Sequence, residues 1–189
     1  ANGTKDYHAC RVCMEPLADW DIDEKPVLFL ASEFPSVENE TLDPDGTWCI
    51  WKLREGVKWH DGEDFNADDV VFTFEYITNE ENATTTMGRY ATVDNVEKID
   101  DYTVRVNFKQ PTPAWYDPFT TTEGCILPEH IFADFQGSES RNAPANLHII
   151  GTGPFMVREF RPGVEIDFAD PTNPLNSDPT PAANPEDCF

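Results

Sequence analysis

Apolar positions along this chain follow two different periods. From 47 to 53, Trp48, Ile50 and Lys52 alternate with Cys49, Trp51 and Leu53. Both sets are mostly apolar, which predicts a strand covered on both faces. From Ala67 to Thr78 the spacing changes: Val70, Val71, Phe74 and Ile77 recur at i, i+1, i+4 and i+7. That pattern predicts one amphipathic helix. Asn66 stands before it as an N-cap, and Asp68 and Asp69 in the first turn complement the helix dipole. The segments 93–99 and 102–108 return to period two. Tyr102, Val104, Val106 and Phe108 alternate with Thr103, Arg105 and Asn107. They predict a hairpin about Asp100-Asp101 with one buried and one wet face.

The rest of the chain is shorter punctuation. Ala9, Val12, Cys13 and Leu17 fall at helical spacing until Pro16 interrupts. Asp19 to Asp23 begins like a calcium loop, but Glu24 and Leu30 occupy the places that need Gly and Glu. It reads as an acidic turn. A short apolar run spans 27–31, and Leu42-Asp-Pro-Asp-Gly46 is a turn signal. Trp115, Tyr116 and Phe119 suggest one helical turn, and Pro128 suits the first position of a short helix through 135. Gly151-Thr-Gly-Pro154 forms a rigid turn feeding a strand at 155–160, and Arg161-Pro-Gly163 turns again. Beyond about 169 the chain is rich in Pro, Asn, Asp and Thr and reads as a disordered tail, 169–189.

These elements make an α+β fold: a small, mainly antiparallel sheet with packed helices. The sheet is expected to combine 47–53, the 93–108 hairpin and, as a further candidate, 155–160. Trp48, Ile50, Val104, Val106 and Phe108 are the expected core, with Val70, Val71, Phe74 and Ile77 packing the helix on the sheet.

Composition narrows the function. The chain has 189 residues and a net charge of −23. Nothing in that balance displaces counterions from phosphates, so nucleic acid and anionic membrane surfaces are excluded as partners. No segment approaches the roughly 20 apolar residues of a membrane span. The five cysteines are Cys10, Cys13, Cys49, Cys125 and Cys188, an odd number. Cys10 and Cys13 have CxxC spacing, but His8, His60, His130 and His148 are scattered and complete no metal set. No nucleophile stands in an elbow near His60-Asp61, and no phosphate loop follows Gly151-Thr-Gly153. The chain is expected to be non-enzymatic and without cofactor or metal.

Several motifs in one order point to a family. Trp51-Lys-Leu-Arg-Glu-Gly-Val-Lys-Trp-His-Asp-Gly62, followed by Phe65-Asn-Ala-Asp-Asp-Val-Val-Phe-Thr73, resembles the signature of family 5 extracellular solute-binding proteins. These are dipeptide, oligopeptide and nickel-chelate receptors of ABC importers. Met14-Glu-Pro-Leu17, the segment 96–110, Ile126-Leu-Pro-Glu-His-Ile-Phe132, Ile150-Gly-Thr-Gly-Pro-Phe155 and Phe160-Arg-Pro-Gly163 are similar to further family segments. The resemblance implies that 1–168 is a partial family domain, covering the small extra domain of a periplasmic-binding-protein-like type II receptor. It implies capture of a peptide or similar small solute for an ABC transporter permease. It also implies a periplasmic or extracellular location, lipid-anchored in the full-length protein. For ligand contacts it directs attention to the loops 87–90 and 120–123: Arg89 for a carboxylate, Tyr90 for stacking, Thr121 beside them, and Glu123 for an amino terminus. Two alternatives stay open. One is a stand-alone interaction or assembly module reusing this domain. The other is a small metal-binding protein using His8, Cys10 and Cys13.

Overall fold

A computed structural model describes residues 12–82, 84–161 and 165–169. The expected elements at 1–11, the turn at 162–164 and the tail from 170 lie outside the described residues. The fold is α+β. Its strands are β1 (Ala18–Trp20), β2 (Pro26–Leu28), β3 (Ala31–Glu33), β4 (Trp48–Leu53), β5 (Val93–Asp100), β6 (Thr103–Phe108), β7 (Met156–Arg161) and β8 (Glu165–Ala169). Helix α1 spans Ala67–Thr78 and the short α2 spans Glu129–Phe132.

The central sheet has the order β3-β4-β6-β5, antiparallel throughout. Pairing Cys49 with Val106 and Trp51 with Val104 puts one apolar face together. Cys49, Trp51, Leu53, Val104, Val106 and Phe108 are all buried there. Helix α1 adds Ala67, Val70 and Ile77 to the same core, with Val71 and Phe74 packed partly buried against it. Trp48 and Ile50 were expected in the core, but both are only half-buried. Both faces of β4 are apolar, so period two alone did not select the inner one. On the outer face the Arg105 guanidinium covers the Trp48 ring at 4.5 Å from its centroid.

Helix α1 starts where its cap dictates. The Asn66 side chain accepts from Asp68 N at 2.7 Å, and Asp69 Oδ2 accepts from Asn66 N at 3.1 Å, a reciprocal capping box. Asp69 is buried and also accepts from Trp59 Nε1 and Glu129 N. One carboxylate thus ties the 58–66 loop, α1 and α2 together. Burial still pushes its pKa up, against the lowering effect of these donors.

Four further expectations are corrected. The strand at 155–160 does not join the central sheet; β7 pairs with β8 in a separate hairpin. A partner a few residues away closes a small loop at low entropic cost. The sheet edge at β5 also presents exposed Asp94, Asn95 and Glu97, which discourage an added strand. Trp115 to Phe119 form turns rather than a helical turn, and Phe119 sits at φ 64°, outside helical space. Pro128 is the N-cap of α2 rather than its first residue, and the helix ends at Phe132. Among the described residues of 8–17, Val12 and Cys13 lie in a turn and no helix forms. Their carbonyls accept from Phe155 N and Gly153 N instead. Of the acidic segment, Asp19 and Trp20 lie in β1, and 21–25 is the hairpin turn to β2, with Asp21 Oδ1 accepting from Asp23 N and Lys25 N.

Candidate ligand-binding cleft

Two loops expected to carry ligand contacts meet in space. Met87–Tyr90 is a 3-10 turn and Thr122–Gly124 another. Arg89 Nη1 bonds Glu123 Oε2 at 3.0 Å, while Nη2 donates to Asp117 O at 2.8 Å and Thr120 O at 3.3 Å. The expected carboxylate-binding and amine-binding groups are therefore paired with each other. Tyr90 is 1% exposed, packed against Phe74 and Phe119, so its ring supports the loop from beneath. Burial pushes the Tyr90 phenol well above its ordinary pKa.

The 117–124 loop is held in an unusual backbone. Phe119 has φ 64° and Thr121 φ 60°, left-handed values that cost a bulky or β-branched residue about 1–3 kcal/mol each. The loop is kept there by anchors on both sides. Leu17 N donates to Phe119 O and Thr121 N to Ala18 O, each at 2.9 Å. Thr120, fully buried, donates to Tyr116 O at 2.7 Å.

Beside this loop lies an open cleft of about 770 Å³, bordered by Thr84, Thr85, Thr86, Thr122, Glu123 and Arg141. This is within the usual size of small-molecule sites. Its lining mixes hydroxyls, one acid and one base with apolar Met14, Ile77, Leu127 and Phe132. Of these bordering residues only Glu123 is among those the family resemblance singles out. The run Thr84-Thr85-Thr86 was the available signal. Nothing in the sequence linked Arg141, from the 137–142 turn, to the same cleft.

A second constellation supports the chain where it leaves the core. His60 N donates to Gly151 O at 2.9 Å, and Gly151 N donates to His60 Nδ1 at 3.2 Å. With Nδ1 accepting, the ring proton sits on Nε2, which donates to Gly153 O at 2.8 Å. Glu15 Oε2 accepts from Thr152 Oγ1 at 2.9 Å. Gly151 and Gly153 are required by close backbone approach: a Cβ on Gly151 would lie 1.9 Å from Cys13 O, and one on Gly153 would lie 2.8 Å from it. His60 is thus a structural residue that docks this turn. Asp61 next to it pairs with His130 Nε2 at 2.7 Å rather than with any nucleophile.

Cys49 is a buried thiol with its pKa raised by burial, which makes it inert. His8, Cys10 and Cys188 lie outside the described residues. Among the described residues, no group of three or more His, Cys, Asp or Glu gathers to hold a metal. No helix among them is long and apolar enough to cross a membrane.

Known proteins resemble this chain in both sequence and fold. The profile of bacterial extracellular solute-binding proteins, family 5 (middle), matches residues 25–173. This chain belongs to that family. A Brucella ovis protein assigned as an ABC transporter peptide-binding protein is 35% identical over 120 residues, covering 63% of this chain and 22% of its own. The oligopeptide-binding protein AppA of Bacillus subtilis, solved with a nonapeptide, shares the fold at TM-score 0.77 and 24% identity. That match covers 90% of this chain and 32% of AppA. NikZ of Campylobacter jejuni, solved with Ni(L-His), aligns at TM-score 0.71 and 26% identity, over 84% of this chain and 30% of NikZ. The chain thus spans about a fifth to a third of the length of the proteins it matches. Members of the family are binding proteins rather than enzymes.

Proposed function

We propose that this family 5 chain supplies the scaffold and one wall of a ligand cleft in an extracellular receptor. That receptor captures a peptide or similar small solute and delivers it to an ABC transporter permease. The reading places it in the periplasm or at the cell exterior, lipid-anchored in the full-length protein, with no catalytic step. The observation that carries it is the open cleft bordered by the strained 117–124 loop, in a chain of this family. Within that wall, Glu123 borders the cleft, whereas Thr121, Arg89 and Tyr90 lie outside its lining and hold the loop in place. Glu123 Oε1 is left for an ammonium group, because Oε2 is taken by Arg89.

One wall buries too little ligand surface for tight binding. Weak contact is still measurable. Titrating the isotope-labelled chain with di- and tripeptides to tens of millimolar should shift the amides of Thr84–Thr86, Thr122, Glu123 and Arg141. Shifts scattered over the surface, or none at these residues, would sink the reading.

A further inference from the structure

The Gly151–Gly153 turn is gripped by two titratable side chains. His60 holds both ends of the tripeptide, accepting at Nδ1 from Gly151 N and donating from Nε2 to Gly153 O. Glu15 holds its middle through Thr152 Oγ1. The turn joins Ile150, a member of the core cluster, to β7. Beyond it, β7 and β8 pair only with each other among the described strands. The grip on the turn thus adds to the bonds of Gly153 N and Phe155 N to Cys13 O and Val12 O, and to the buried Met156 and Val157, in attaching that hairpin to the core.

We propose that His60 is a proton-sensitive latch: neutral, its ring fixes both ends of the Gly151–Gly153 turn, and protonated at Nδ1, it frees the Gly151 amide and leaves Gly151 held only through its carbonyl by His60 N. The chemistry is direct. Nδ1 can accept from Gly151 N–H only while it carries a lone pair. A proton taken from solvent onto Nδ1 makes two donors face each other across 3.2 Å. The Nε2 bond to Gly153 O and the backbone bond from His60 N to Gly151 O survive, so the turn loosens at the Gly151 amide instead of falling free.

The surrounding charges set where the change occurs. Burial lowers the His60 pKa, and the Gly153 carbonyl and the Asp61 carboxylate raise it in opposition. Asp61 is itself engaged by His130. Across the turn, burial raises the Glu15 pKa, against the lowering effects of Thr152 and Arg54. His60 thus keeps its neutral, latched form at neutral pH, and release belongs to acid conditions.

The test is residue-resolved proton exchange on this chain from pH 7.5 to 4.5, with His60 ring nitrogen shifts followed in parallel. The expected result is about a tenfold fall in the protection factor of the Gly151 amide for each pH unit from the ordinary histidine value of about 6.5 down to the His60 midpoint. That midpoint should lie below the ordinary histidine value of about 6.5. The Val104 and Val106 amides should keep their protection over the same range. Asp61→Asn should move the midpoint lower, and Glu15→Gln should leave the His60 shifts unchanged. The His60→Gln chain should show Gly151 protection with no such midpoint. Loss of Gly151 and Val104 protection together would mean global unfolding and would overturn the latch. So would a His60 titration that leaves Gly151 protection unchanged.

Discussion

The sheet-and-helix core and the cleft loops are built by opposite means. In the core, many apolar side chains share the load: Trp51, Val104, Val106 and Val70 are each fully buried, and pairings along β4, β5 and β6 repeat one motif. In the cleft loops, few groups do everything. Arg89 alone serves Glu123, Asp117 and Thr120, and two residues hold left-handed backbone to bring the loop into place. Redundant burial gives stability that tolerates the unfavourable backbone beside it, which is where strain in proteins concentrates at ligand-facing loops.

Substitutions separate the two regimes, beginning with the largest effect. Trp51→Ala should cost about 3–5 kcal/mol, a large share of a domain's stability, and show as a strongly lowered thermal midpoint. A loss under about 1 kcal/mol would mean the sheet core is not the main support. Gly151→Ala should cost about 2–3 kcal/mol, because its Cβ meets the Cys13 carbonyl and the backbone must shift. Denaturant unfolding checks this, and a neutral result would show that the turn is not docked on Cys13. Asn66→Ala should remove about 1 kcal/mol of helix capping, measured the same way. Thr121→Gly should go in the opposite direction, stabilising by about 1 kcal/mol as left-handed strain is relieved. Destabilisation there would show that the loop backbone is unstrained and would erase the contrast between the regions.

The pH dependence gives the smallest and most local effect. His60 has a lowered pKa in the folded chain, so the unfolded chain binds more protons between the folded and unfolded values. Its contribution is fully present above the unfolded value of about 6.5 and is lost as pH falls through the folded one. Thermal midpoints should therefore drop on mild acidification. The His60→Gln chain should lose that component of the drop while other titrating groups keep theirs.

What could be read from sequence tracks the range of the interactions. Asn66, the α1 spacing and the 93–108 hairpin are decided within a few residues; the cap and helix appear where expected, and the hairpin turns one residue later than expected, at Asp101-Tyr102. The inner face of β4 was not legible, because Trp48 and Ile50 look as apolar as Cys49 and Trp51 until α1 covers one side. The cleft was legible only in part. Arg89 and Glu123 were singled out, but their mutual bond joins residues 34 apart in sequence. His60 meets Gly151 across 91 residues, and no local pattern announces such a contact. The position of β7 failed for a related reason: its alternation fits a strand, but pairing partners are chosen by the whole chain. The family motifs carried more than periodicity could, because the Trp51–Gly62 stretch and the Gly151-Thr-Gly153 stretch belong to one docked unit.

The central claim is that this chain is a folded scaffold presenting one wall of a receptor's cleft. Calorimetric titration of the chain with a mixed di- to oligopeptide library, after circular dichroism has confirmed folding, tests it most directly. The expected result is a folded protein that gives no saturable heat at micromolar peptide. Saturable micromolar binding would contradict the account, because it would mean that this portion alone encloses its ligand.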